Sequence, residues 1–265
     1  METIKVVLKG AWIGATMSVP GVSGGTMAVV VGIYEKLIHA LNGLRREPRK
    51  HILFLLWFGF GAAVGFLLLA RGIAFLLEDE RTGEATRFLF GGVVAGGIPL
   101  LVRKSEIRKV QIKDILCLIC GAAAVLALAL LPQGVFSSGS GVYGLLLQAA
   151  GGFLVAVALI LPGISVTHML YILGLYEVVI ENIYAFHFLK LLPLLAGVLI
   201  GTFLTADLLE RWMERYTKTV YLVIIGFVAG SMVSLMPANG ISHPVIGILI
   251  FAAGFAGMYQ LSKRA

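Results

Sequence analysis

The chain has 265 residues, of which 59% are apolar and only 13% charged. A soluble domain carries about twice that share of charge, so a water-soluble globular protein is excluded. The net charge of +7 sits in short loops between long apolar runs, with no interleaved aromatic and basic surface, so it reads as membrane topology and not as a nucleic-acid interface.

Near the N-terminus, Lys5 and Lys9 precede no short apolar core with a small-residue cleavage site, so no removable signal peptide is predicted. Residues 4–19 form an apolar arm that meets Pro20-Gly21-Val22-Ser23-Gly24-Gly25-Thr26-Met27, and residues 26–42 form a second arm. The proline bars a continuous helix, the glycines allow unusual backbone angles and close approach, and Ser23 is suited to cap the helix that follows. Apolar segments at about 52–77, 86–102 and 112–131 then read as spans. Cys117 and Cys120 lie in the third of these without a charged neighbour to stabilise a thiolate, and they read as two small buried hydrophobes. No metal site and no cofactor is predicted.

The second half repeats the first. Pro162-Gly163-Ile164-Ser165-Val166-Thr167-His168-Met169 lies 142 residues after the first break (162 − 20), and Gly174-Leu175-Tyr176-Glu177 answers Gly32-Ile33-Tyr34-Glu35 in the same register. Further apolar segments at about 188–209, 219–236 and 244–261 follow. Residues 1–132 and 142–265 are therefore predicted to be two copies of one unit, together one transmembrane domain.

Basic loops set the orientation. The loop 43–51 carries Arg45, Arg46, Arg49 and Lys50, and the loop 103–113 carries five basic residues, so both are placed in the cytoplasm, as are 210–218 and the tail Lys263-Arg264. The acid-rich 78–87 and the uncharged 132–141 and 237–243 are placed outside. This works if each Pro-Gly-x-Ser element enters and leaves on one side. Each half then crosses three times, and the halves lie upside down relative to each other. The predicted fold is an all-α integral membrane protein: an inverted-topology repeat with two re-entrant broken-helix hairpins, about six full transmembrane helices and both termini cytoplasmic.

An unpaired backbone in hydrocarbon is costly, so such a break survives only where protein or a watery cavity covers it. Free N–H groups and the positive end of a helix dipole favour an anion there. The candidate phosphate-binding residues are Gly21, Ser23, Gly24, Gly25 and Thr26 from the first break and Gly163, Ser165, Thr167 and His168 from the second. A structural kink is the alternative, which two registered breaks make less fitting. His168 replaces Thr26 in the repeat; it reads either as the carrier of a coupling proton or as a hydrogen-bonded packing residue. Glu35 and Glu177 follow the capping serines by twelve residues, or about 18 Å of helix against a half-bilayer of about 15 Å. With Tyr34 and Tyr176 they read as gate residues or as an interfacial belt. Arg71 and Asp207 each follow a glycine pair by six residues. Arg71 could hold a phosphate bidentately or snorkel to the interface, and Asp207 could serve gating or coupling. The pairs Gly61/Gly65, Gly92/Gly96, Gly197/Gly201 and Gly226/Gly230 fit close helix packing.

The stretches GATMSVPGVSGGTMAVVVGIYEKLI (14–38) and LPGISVTHMLYILGLYE (161–177) resemble the two signatures of the polyprenyl-phosphate transporter family. The resemblance covers essentially the whole chain. It implies a prokaryotic plasma-membrane protein that returns undecaprenyl phosphate, or a related polyprenyl phosphate, to the cytoplasmic leaflet; a coupling proton or cation is suggested by His168 alone, not by the resemblance. The second signature departs from the first at Val166 and His168, which puts equivalence of the half-sites in question. Two rivals stand beside it: a secondary transporter of a small soluble anion, and a membrane polyprenyl-pyrophosphate phosphatase. The phosphatase would need an arginine beside the serine and acids near the phosphates, whereas Gly24 and Val166 follow the serines here.

Overall fold

A computed structural model describes residues 2–17, 19, 22–44, 46–107, 109–134, 141–236 and 240–263. The described residues fold into helices joined by short connections. The first half contributes α1 (Glu2–Thr16), α2 (Gly24–Val30), α3 (Tyr34–Gly43), α4 (Pro48–Glu78), α5 (Glu80–Lys104) and α6 (Ile112–Ala129). The second contributes α7 (Gly141–Ile160), α8 (Val166–Leu173), α9 (Tyr176–Tyr184), α10 (Leu192–Arg215), α11 (Thr217–Ser231) and α12 (Pro244–Lys263). Each half thus runs long arm, break, two short helices, then three long helices, as the repeat requires.

Among the described residues, seven helices are long and apolar enough to cross a membrane. Six are the segments read from the sequence. The seventh is α7, the first arm of the second break, which at 20 residues outreaches its 15-residue counterpart α1. The short helices α8 and α9 bend by 102° at their junction. The chain is a multi-pass membrane protein, and its outward faces confirm the solvent it expects: along α4, Leu56, Phe60, Leu67 and Leu68 are all exposed. Cys117 and Cys120 are free thiols, partly and fully exposed on α6 rather than buried as expected. In an apolar solvent a small hydrophobe has no need to face the protein interior.

Long helices pack in matched pairs. Helix α1 lies along α4 and α7 along α10, within their own halves; α5 lies along α12 and α6 along α11, across the halves. The glycine pairs make these crossings. A Cβ on Gly65 would overlap the Ala11 carbonyl, and one on Gly197 the Ala149 carbonyl; Gly92 and Gly226 sit equally tightly on Phe251 and Leu118. Lipid gives no hydrophobic drive between helices, so close backbone approach and dispersion must hold them.

At one end of the bundle the charged residues collect. Lys104 pairs with Glu35 at 2.7 Å, Lys218 with Asp114 at 2.6 Å and Arg211 with Asp207 at 2.6 Å. His39 and Asn42 of α3 both bond Glu210 of α10, at 2.8 and 2.6 Å. This is the face that the charge pattern assigns to the cytoplasm.

Substituting Gly65→Val forces the α1–α4 crossing apart and should cost about 1–3 kcal/mol, read as a lowered thermal midpoint in detergent. Gly72→Val, on the same helix with nothing within 4 Å of its Cβ position, should leave that midpoint unchanged.

Candidate functional site

The two breaks meet. Ser23 caps α2 in extended geometry and its Oγ accepts from the Thr26 N–H at 3.0 Å. Ser165 caps α8 in the same way, accepting from the His168 N–H at 3.4 Å. The serine caps expected from the sequence are therefore present. The connection between the breaks was not expected. The Gly163 N–H donates to both Thr26 Oγ1, at 2.8 Å, and Ser23 Oγ, at 3.1 Å. These two hydroxyls lie 2.8 Å from each other. Gly163 takes a left-handed φ of +85°, and a Cβ there would press on the Phe227 carbonyl of α11. Gly25 packs on the backbone of Leu161 and Pro162. Its side-chain-free face is what lets the first break touch the second.

A second bond braces the same corner. The helix end at Ile160 leaves its carbonyl without an intrahelical donor, and the buried Tyr34 hydroxyl donates to it at 2.8 Å. Tyr34 thus serves the interior, where the sequence placed it in a gate or an interfacial belt. Its repeat partner Tyr176 does something else: its ring stacks on Tyr171, 4.1 Å between centroids and 21° between planes.

Two cavities flank the joined breaks. One, of about 400 Å³, lies between α8 and the far ends of α6 and α11, away from the ion-paired face; Ser165, Thr167, His168, Tyr171, Ser231 and Ser234 give it a polar lining. The other, of about 270 Å³, lies between the α1–α4 and α7–α10 pairs and is mostly apolar, with Phe58, Leu41 and Leu159 among its walls. Ser165 and Thr167 line both. Among the described residues, no aspartate, glutamate, lysine or arginine lines either one. His168 is the one titratable group of the polar cavity besides Tyr171, and its Nε2 is buried with no hydrogen-bond partner among the described residues.

The predicted site residues divide accordingly. Ser165, Thr167 and His168 come together at the polar cavity, while Ser23, Gly24 and Gly25 reach only the apolar one. Thr26 is fully buried at 0% exposure, so the structure uses its hydroxyl to hold Gly163. Gly163 is a junction residue. Gly21, with Pro20, lies outside the described residues. Arg71 is exposed on α4 and lines neither cavity, so the expected bidentate phosphate clamp is not assembled at the breaks.

Asp207 pairs with Arg211 on its own helix, far along α10. Glu35 accepts from Lys104 and from the Tyr221 hydroxyl. Partial burial opposes its ionisation, and the two partners overcome this and hold its carboxyl below the ordinary carboxylate range. Such a clasp is fully formed at neutral pH and is lost only as pH falls through that lowered value. Glu177 is exposed and makes no hydrogen bond or ion pair among the described residues.

Sequence reading missed Tyr171, Ser231, Ser234 and Tyr221. None falls in the repeated signature except Tyr171, which looked like an ordinary apolar position of α8. Ser231 and Ser234 become visible only when the end of α11 and the turn after it pack beside the breaks, and Tyr221 only when the start of α11 meets Glu35.

A family model described as undecaprenyl phosphate translocase-like matches residues 13–246. A protein of Staphylococcus aureus (strain NCTC 8325 / PS 47) named polyprenyl-phosphate transporter is 29% identical over 271 aligned residues, covering 97% of this chain and 95% of that protein. A Vibrio cholerae serotype O1 protein of the same name is 27% identical over 252, covering 89% and 79%. No solved structure matches.

Replacing Ser23→Ala together with Thr26→Val leaves the buried Gly163 N–H without a partner, at a cost of about 1–3 kcal/mol. The double variant should melt several degrees lower in detergent, and His168→Ala, which removes an unpaired group, should not.

Proposed function

The chain belongs to the undecaprenyl phosphate translocase-like family, and we propose that it carries undecaprenyl phosphate, or a related polyprenyl phosphate, from the outer to the cytoplasmic leaflet of a prokaryotic plasma membrane. Both named relatives are polyprenyl-phosphate transporters. The observation that carries the reading to a site is a hydroxyl-lined cavity walled by His168, a residue whose Nε2 lies buried behind that wall with no hydrogen-bond partner among the described residues. Burying a polar atom without a partner is costly, and a phosphate oxygen supplies the missing one. Thr167, at the first turn of α8 and exposed to the cavity, adds a hydroxyl donor. The adjoining apolar cavity takes the first isoprene units, and the rest of the tail stays in lipid. The protein then has only the headgroup to shield.

The two halves are inverted copies in this reading, and the exchange of partners between α5–α12 and α6–α11 supports it. The Glu35–Lys104–Tyr221 clasp and the Glu210 bonds to α3 close the cytoplasmic end, while the polar cavity faces the other side. Both termini then lie in the cytoplasm. Transport opens the clasp and releases the phosphate inside, with a proton on His168 as the coupling species. The soluble-anion rival gives no role to the apolar cavity beside the break. The phosphatase rival is disfavoured because neither central cavity is lined by an acid or an arginine among the described residues.

Proteoliposomes loaded with a polyprenyl phosphate and read with a membrane-impermeant phosphate probe test this. The native protein should translocate the lipid, His168→Ala should slow it roughly tenfold or more, as loss of a charge-assisted bond implies, and Arg71→Ala should stay within about twofold. Uptake of free phosphate without lipid translocation would replace this reading with the soluble-anion one. The clasp has its own check: in a Cys117→Ala/Cys120→Ala background, Glu35→Gln should raise maleimide labelling of an Ile38→Cys reporter several-fold.

A further inference from the structure

A third cavity, of about 320 Å³, lies apart from the breaks, among α1, α3 and the start of α4. Among the described residues, four lysines line it, Lys5 and Lys9 from α1, Lys36 from α3 and Lys50 from α4, and Glu2 is the one acid in its wall. Lys9 is partly buried and donates to the Val31 carbonyl at 2.7 Å. Lys50 reaches Glu47 at 3.4 Å, both being well exposed. Lys5 and Lys36 have no hydrogen bond or ion pair among the described residues. Three separate elements thus bring like charges to one hollow, and an anion held there would relieve their mutual repulsion.

The rest of the wall is apolar. Leu53, Phe54 and Trp57 of α4 line it, and Leu53 and Trp57 are 55% and 41% exposed. The exposed face continues through Leu56 to Phe60, whose ring meets Trp57 edge-on. From Lys50 to Phe60 is ten residues, or about 15 Å of helix, which equals half the hydrocarbon thickness of about 30 Å. A basic hollow at the interface therefore leads onto an apolar strip that ends at the midplane.

We infer that this cavity binds the phosphate headgroup of a net-anionic lipid of the adjoining leaflet, with the lipid tail laid along the Leu53–Trp57–Phe60 face of α4. The occupant is either a resident acidic phospholipid or the polyprenyl phosphate itself after delivery. A free phosphate would leave the α4 strip unused. The inference depends on the membrane setting and not on the transport reading, since binding is measured on the purified protein with no translocation.

The test is native mass spectrometry of the full chain in detergent, titrated with phosphatidylglycerol, phosphatidylcholine, undecaprenyl phosphate or inorganic phosphate. The native protein should retain phosphatidylglycerol or undecaprenyl phosphate roughly tenfold more tightly than phosphatidylcholine. The Lys5→Gln/Lys36→Gln/Lys50→Gln variant should lose that preference, since each lysine near an anionic surface contributes about 1 kcal/mol, or roughly fivefold. Lys5→Arg/Lys36→Arg/Lys50→Arg should keep it. Displacement of phosphatidylglycerol by undecaprenyl phosphate identifies the substrate as the occupant; retention of phosphatidylglycerol alone identifies a resident phospholipid. An unchanged lipid preference in the glutamine variant, or displacement of bound lipid by inorganic phosphate at equal concentration, overturns the inference.

Discussion

Inside a bilayer no water is at hand to satisfy a backbone group that leaves a helix, and each such group left bare costs several kcal/mol. The second Pro-Gly break creates two of them in one turn: the Gly163 N–H and the Ile160 carbonyl. Neither is satisfied from within its own half. Ser23 and Thr26 take the first and Tyr34 gives to the second, across 126 to 140 residues of chain. The first half therefore completes the second, and the halves fold as one body even though each reads as a unit in the sequence. The side chains that looked most like ligand donors are those the break needs to exist.

That debt runs one way, and it divides the labour between repeats. Position for position, Thr26 is a buried brace and His168 an unpaired wall of a polar cavity; Tyr34 is a buried donor and Tyr176 a stacked ring; Glu35 is clasped by two partners and Glu177 by none among the described residues. Inverted repeats in identical conformations would present identical faces to both sides of the membrane. Here one end is tied by ion pairs and the other carries the polar cavity. The glycine crossings remain equivalent in both halves, so the difference lies in the short helices and the clasps, not in the packing of the long pairs.

The parts of this fold legible in the sequence are those set by local chemistry. Apolar run length gave the spans, Pro-Gly gave the breaks, serine gave the caps, and glycine pairs marked the crossings. Arg71 illustrates what a register match leaves out. It follows Gly65 by six residues, as Asp207 follows Gly201, and six residues turn a helix by about 240°. Since Gly65 faces α1, Arg71 must point away from that contact, and it is exposed. Rotation about the helix and depth along it both count against the clamp, since Arg71 lies eleven residues (71 − 60), or about 16 Å, past the midplane position of Phe60. Tyr221 and Ser231 were illegible for a different reason. They belong to α11, whose approach to the breaks is set by Gly163 lying under Phe227, a contact between residues 64 apart (227 − 163) that no periodicity encodes.

The placement of charge argues for a carrier over a trap. Among the described residues, both cavities at the breaks are free of lysine, arginine and carboxylates, while ion pairs and unspent lysines gather at the α3–α5–α10 end and at the start of α4. A phosphate clamped by an arginine at midplane depth would gain a charge-assisted bidentate pair in a medium of low dielectric, and leaving would require undoing it there. Hydroxyls, helix amides and one histidine, if they are the site as proposed, would offer the same phosphate less while still offsetting part of its desolvation. An anion that has to enter from one leaflet and depart into the other is better served by the weaker site, because turnover is limited by the deepest well on the path. The stronger positive field lies outside the breaks, in the hollow of Lys5, Lys36 and Lys50, away from the midplane.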